Sequence, residues 1–533
     1  MFCRLTLALT ILGCSFLSSC SRGDTSFVER LAILPAENLT NDAGLDWLSE
    51  AAAAVLAYDL TGPKQTQAFG VATLRDARAG RATRFLESYF AVEHGALAFH
   101  VTIEDPAALK ATRTMVVNGT AADLAAAMNR LAKELRPEAR KFPSCSAESL
   151  RLYGAALLGG GQFSAAWQAD PNCAPVAIAA GELALERGSR DTADLITRTA
   201  LSSSGLDAID RAKLKYIRSG AKSDQPARLE ALRRLTTLLP NDIGLLRTAA
   251  TAQLANRDIR AAVHSWEVAT QTSPDDAALW NELAYARAYN HDFEGARKAL
   301  DQYQKLLPAE NWNGLDSRGE IEFYFGDFAS AERYFLDAYK KGQAPIELLK
   351  AAEARMMTGD LAGADSIFAR RGWSDIERAQ WEFLTGRRKQ AIERLSTKPA
   401  PSTALQLALW KAQTGQSSFP ENGENPMSRA IAALLAGRHA EAVPLLETIY
   451  HATPPGSDGL VRTLLAWSYA RSGRTQDASK LLDLYPIPIA GNDNPVLSSL
   501  IFPRFVQLRA EVLHSEKDQR LAAQYTDDLP DVR

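Results

Sequence analysis

Apolar and polar positions change rhythm several times between residues 29 and 140, then settle into one repeated pattern. Arg30-Leu31-Ala32-Ile33-Leu34-Pro35 is an apolar run stopped by proline and reads as a short strand. Leu45, Leu48, Ala52, Val55 and Leu56 recur at helical spacing and predict a helix from Asp46 to Leu60. A second strand is predicted over Ala68–Leu74 and a second helix over Asp76–Tyr89. Gly95–Glu104 and Ala108–Val117 flank Asp105-Pro106 and read as a hairpin. Asn118-Gly119 ends that hairpin, and Thr120 is placed to cap a helix running to about Leu135. Residues 29–140 therefore form a small α/β (α+β) domain.

From about residue 147 helix pairs recur. The clearest copy runs Trp280, Leu283, Ala284, then His291-Asp292-Phe293-Glu294-Gly295-Ala296, Leu300, Tyr303 and Pro308. A small residue opens the second helix of successive copies at Ala262, Ala296, Ala331, Ala364, Ala391, Ala442 and Ala478, mostly about 34 residues apart. Turn sequences recur with it: Gly326-Asp327-Phe328, Gly359-Asp360-Leu361, Gly386-Arg387, Gly437-Arg438 and Gly473-Arg474. Large residues (Trp266, Leu300, Phe335, Phe368, Leu446) are placed to fill the space between pairs. Weaker copies precede these at Ser149–Trp167, Asp170–Ala193 and Arg211–Pro240. The pattern resembles the tetratricopeptide repeat (TPR), in which each pair exposes an apolar face that only the next pair covers. The fold class expected is an α-helical solenoid, a TPR-like superhelix over 147–515, preceded by the small α/β domain. Ser417 to Pro426 is too rich in Pro, Gly and Asn for a helix, so a break is predicted at 416–426. After Tyr485, Pro486, Pro488, Gly491 and Pro495 mark a loop before a capping helix near Phe505–His514, with 516–533 read as a tail.

The segment Leu31-Ala32-Ile33-Leu34-Pro35-Ala36-Glu37-Asn38-Leu39 resembles the opening of a small domain that begins many bacterial TPR proteins. Related domains begin the propeller protein of the Tol system and the curli-secretion lipoprotein. Ala36 stands where that pattern has phenylalanine. The resemblance implies a recognition or assembly module without catalysis, with Glu37 and Asn38 as turn formers.

The first residues read as an address. Arg4 is a small positive region, Leu5–Leu17 an apolar one, and Leu17-Ser18-Ser19-Cys20 resembles the lipobox of bacterial lipoproteins. That resemblance implies a signal peptide at 1–19, acylation of Cys20 and a lipid-anchored linker at 20–28. Two or more acyl chains, at ~0.8 kcal/mol per buried CH₂, hold a protein stably on a membrane. Ser21 replaces the aspartate of inner-membrane retention, which implies the periplasmic side of the outer membrane. Ala51–Ala57 is too short to span a bilayer and is flanked by Asp46, Glu50 and Asp59. With 23% charged residues and a net charge of −3, the chain lacks the basic excess that nucleic acid demands.

Catalytic motifs are missing. Gly159-Gly160-Gly161 has no following lysine, His94 and His100 share a strand face without a third metal ligand, and Ser219 and Lys222 lack companion motifs. No enzyme activity, cofactor, metal or small-molecule substrate is expected. In the repeat family the first helix of each pair lines the concave surface, so the resemblance points to Asn281, Tyr285, Tyr289, Asp316, Glu320, Phe323 and Tyr324 as a protein-binding groove. Tyrosines among carboxylates suit a peptide or a basic, partly apolar surface. Cys145 and Cys173 sit just ahead of the first helices of consecutive copies, and an oxidising compartment allows either a disulfide or two buried thiols. The function expected is a lipid-anchored periplasmic scaffold or adaptor for partner proteins. The alternatives are a regulator of an envelope enzyme, such as a cell-wall synthase, and a cryptic hydrolase.

Overall fold

The computed structural model describes residues 29–62, 66–106, 110–160, 162–397, 403–417, 419, 425–486 and 501–523. The signal peptide, Cys20, the linker and most of the 416–426 break lie outside the described residues. The chain divides into two compact units, 1–161 and 162–533. Among the described residues, no helix is long and apolar enough to cross a membrane.

In the first unit, β1 (Glu29–Ile33), α1 (Trp47–Leu60), β3 (Thr66–Gly70), α2 (Leu74–Ala79) and β4 (Arg84–Glu93) alternate, and β1 lies parallel between β3 and β4. A two-residue strand, β2 (Glu37–Asn38), pairs with β4. β4, β5 (Ala96–Asp105) and β6 (Lys110–Gly119) then form an antiparallel meander, giving the order β3-β1-β4-β5-β6. Leu31, Ile33, Leu86, Phe90 and Phe99 meet α1 and α3 (Leu124–Leu135) in one core, while Ala32 and Phe85 meet Ala77 of α2 in another. Asn38 makes the turn expected of it: its side-chain oxygen accepts from the Thr40 N–H at 3.0 Å, and its amide donates to Asp46.

The helix expected over Asp76–Tyr89 is a short helix followed by a strand. Leu86 and Phe90 lie four apart, which is a same-face spacing in both periods, so the pattern alone did not separate them. Pairing of β4 on both edges, and cover on both faces, decided for the strand.

α4 (Ala147–Ala155) also belongs to the first unit, packed on α1, so the pair expected over Ser149–Trp167 does not form as one repeat. Gly154 is the reason for the close approach. A Cβ built there would stand 2.3 Å from the Trp47 carbonyl oxygen.

The second unit is the solenoid. After α5 (Phe163–Ala169), helices pair as α6 (Ala174–Glu186) with α7 (Arg190–Leu201), α8 (Ala208–Ala221) with α9 (Gln225–Leu238), and α10 (Ile243–Ala255) with α11 (Ile259–Thr272). Then come α12 (Ala277–Tyr289) with α13 (Phe293–Leu306), α14 (Asn313–Tyr324) with α15 (Phe328–Gly342), and α16 (Pro345–Met356) with α17 (Leu361–Phe368). α18 (Asp375–Leu384) with α19 (Arg388–Thr397), α20 (Ala404–Gln413), α21 (Pro426–Leu435) with α22 (His439–Ala452), and α23 (Gly459–Arg471) with α24 (Thr475–Leu482) complete the array. All seven alanines that open second helices are fully buried, which is what close helix approach requires. The recurring turn has a local cause. Arg257, His291, Gly326 and Gly359 take left-handed φ of 58–90°, and the aspartate after each caps the next helix by accepting an N–H three residues on.

Among the described residues, the core is continuous across the 416–426 stretch. Leu409 and Phe419 join one hydrophobic cluster that runs from Phe323 to Ala522. The last helices among the described residues are Ile501–Leu513 and Glu516–Ala522, so residues 516–522 are not tail. They return the chain to its middle: Tyr485 N–H donates to the Tyr324 carbonyl at 3.1 Å, and Lys517 to the Gly326 carbonyl at 2.9 Å. The solenoid therefore curls back on itself.

Candidate functional site

The first helices of four successive pairs, α10, α12, α14 and α16, turn polar side chains into a common cavity of about 720 Å³. Pro454 and Pro455, in the turn after α22, close one side. That turn is held by Arg257, whose guanidinium donates to the Tyr450 carbonyl at 2.9 Å and to Asp458 at 2.7 Å and stacks 3.6 Å over the Tyr450 ring.

Inside the cavity the charges are tightly packed. Lys350 donates to Asp316 and to Glu320, each at 2.6 Å, and its side chain is only 4% exposed. Tyr285 donates to the other Glu320 oxygen at 2.6 Å. Burial opposes charge on Lys350, but the carboxylates of Glu320 and Asp316 outweigh it and hold the ammonium above its ordinary range. Burial pushes Glu320 up, against the pull of Lys350. It also raises the Tyr285 phenol, with the Glu320 charge adding to the effect.

Glu347, one turn before Lys350, is fully buried, and among the described residues no hydrogen-bond donor reaches either of its oxygens. Burial first, and then the negative charge of Asp316, push its pKa up to about 8. Glu282 on α12 is raised by burial and restrained by Arg247. Three carboxylates thus surround one lysine.

Of the seven groove residues expected from the sequence, Asn281, Tyr285, Tyr289, Asp316 and Glu320 line this cavity. Phe323 and Tyr324 do not. Phe323 is in the main core, edge-on to Phe328 at 5.0 Å, and Tyr324 is buried under Tyr289 with its carbonyl taken by Tyr485. The returning chain covers Tyr324. Glu347 and Lys350 were missed, although a signal existed: Lys350 lies 34 residues beyond Asp316, one repeat period on the same face.

Other candidates resolve into structure. Ser219 donates its hydroxyl to the Tyr216 carbonyl at 2.7 Å. His100 pairs with Glu93 at 2.8 Å and stacks on Tyr89. Among the described residues, no group of three or more His, Cys, Asp or Glu is arranged to hold a metal. Cys145, ahead of α4, and Cys173, the cap of α6, are each disulfide-bonded.

A glycosidase needs two carboxyl groups ~5–9.5 Å apart across open space. Here Asp316 and Glu320 are both tied to Lys350, at 2.6 Å each.

No family model matches the chain, and no curated protein is similar enough to match it. Among solved structures, it is similar to one of Naa15/Naa10 bound to HypK-THB, at 13% identity and a TM-score of 0.34, over 71% of this chain and 67% of that one. It is also similar to the TPR domain of P58(IPK), at 15% identity and a TM-score of 0.20, over 76% of this chain and 95% of that one.

Proposed function

We propose that this protein is a non-enzymatic scaffold that holds a partner protein in the cavity of its solenoid. A lipid on Cys20 would fix it to the periplasmic side of the outer membrane. The observation that carries the reading is the cavity itself, built by equivalent faces of four consecutive repeats and rich in side chains able to form hydrogen bonds. A surface of that kind offers specific contacts without assembling an acid, a base and a nucleophile around a reacting bond. The lipobox-like Leu17-Ser18-Ser19-Cys20 supports the address.

Two experiments test the two halves. Cross-linking in membranes, followed by mass spectrometry, should recover a partner with the parent and lose it with Asn281→Trp, which fills the cavity. Equal recovery by both would refute the cavity as the binding face. Cys20→Ala should leave an uncleaved or soluble protein; fractionation with the outer membrane like the parent would refute the anchor.

A further inference from the structure

We propose that the solenoid cavity is a receptor for one basic side chain of the partner, an ammonium or guanidinium that docks against Glu347, Asp316 and Glu320 and beneath the rings of Tyr285 and Tyr289. The proposal rests on the reading of this cavity as the protein-binding face.

Charge points to a cation. Four carboxylates line the wall, and the protein supplies a single lysine, already committed to two of them. Glu347 is the independent sign of a missing partner. It is 0% exposed, borders the cavity, and receives no donor at either oxygen among the described residues. A buried carboxyl group whose oxygens receive no donor gives up its hydration without replacement, unless a ligand brings the donor. The buried Asn281 side-chain oxygen, in the same cavity, also receives no donor among the described residues. A guanidinium offers five donors in a plane and an ammonium three, so either can reach such acceptors together. Tyr285 and Tyr289, ring centroids 6.2 Å apart, give the cation aromatic faces.

Binding also carries a proton signature. The charges acting on Glu347 come from Asp316 and Glu320 on α14 and from Lys350 on its own helix. Tyr285, Tyr289 and Glu282 share the cavity from α12, with Arg247 acting on Glu282. Empty, Glu347 keeps its proton up to about pH 8. An incoming cation favours the carboxylate, so the proton leaves as the cation enters. Affinity must therefore rise with pH up to about 8 and flatten above it.

The test titrates the full chain in detergent, by calorimetry, with an acetylated and amidated glycine-serine peptide carrying one arginine, its citrulline counterpart, and spermidine. The arginine peptide should bind, and the citrulline peptide should bind at least ~10-fold more weakly, as expected for loss of a charge-assisted bidentate contact. Between pH 6.5 and 8.5 the arginine affinity should rise on the order of 10-fold in the parent and stay flat in Glu347→Gln, which keeps the shape of the protonated acid. Equal binding of arginine and citrulline peptides, no binding of either, or an unchanged pH slope in Glu347→Gln overturns the proposal. So does spermidine binding alone, which would make the cavity a polyamine site. If Asn281→Trp abolishes partner cross-linking while the arginine and citrulline peptides behave alike, the protein-binding reading stands and the basic-residue inference falls.

Discussion

Arg257 is the best place to ask whether closure of the solenoid is structural. It sits in the α10–α11 turn and reaches almost 200 residues along the chain, to Tyr450 and Asp458. Its side chain is 15% exposed and that of Asp458 7% exposed, so the pair is largely shielded from solvent. Hydrogen bonds to a charged group contribute ~1.5–3 kcal/mol, and the stack over Tyr450 adds ~0.5–2 kcal/mol. Breaking a buried pair outright costs ~3–5 kcal/mol because the orphaned charge stays buried. Here Arg462 remains 3.8 Å from Asp458, so the loss should fall lower, at ~2–4 kcal/mol. The substitution must respect the backbone. Arg257 has φ of 58°, where alanine would add strain, so Arg257→Asn isolates the side chain. Repeat arrays need not unfold in one step, so a global midpoint is the wrong observable. Hydrogen exchange is the right one: amides of 450–460 in Arg257→Asn should exchange ~30- to 800-fold faster, as ~2–4 kcal/mol of local stability requires. Arg233→Ala, which removes an exposed pair with Glu230, is the control and should change nothing measurable. If Arg257→Asn leaves exchange at 450–460 as slow as the control does, closure does not depend on this contact.

Two further outcomes are expected. Cys145 and Cys173 should be bonded to each other, so peptide mapping without reduction should find one linked pair; opening that 28-residue loop by reduction should cost about 3–4 kcal/mol, and two alkylatable thiols would refute it. Asp59 is buried, and burial raises its pKa to about 7 against the hydrogen bond from Phe142 and the charge of Arg140. The folded first unit therefore holds a proton that the unfolded chain releases, so its stability is greatest below about pH 4 and falls, by at most ~4 kcal/mol, as pH rises through about 7. Asp59→Asn should remove that slope in exchange of the α1 amides, and an unchanged slope would show that another group is responsible.

The sequence by itself determined the repeat. Buried alanines at one period, left-handed residues before capping aspartates and large residues between pairs are local devices, acting within about 34 residues, and local devices leave a periodic trace. The cavity helices were legible for the same reason, since equivalent positions in a solenoid share a face. Three things were decided only in three dimensions. β4 became a strand because two edges and two faces were waiting for it, which no four-residue spacing reports. Tyr324 left the groove because the chain end returned over it, through a contact more than a hundred residues apart, and Phe323 went into the core beside Phe328. Glu347 became the unusual acid of the site because its neighbours are other carboxylates and its surroundings are dry. Its own residue type carries no mark of that, because a pKa belongs to the environment that folding builds around the group.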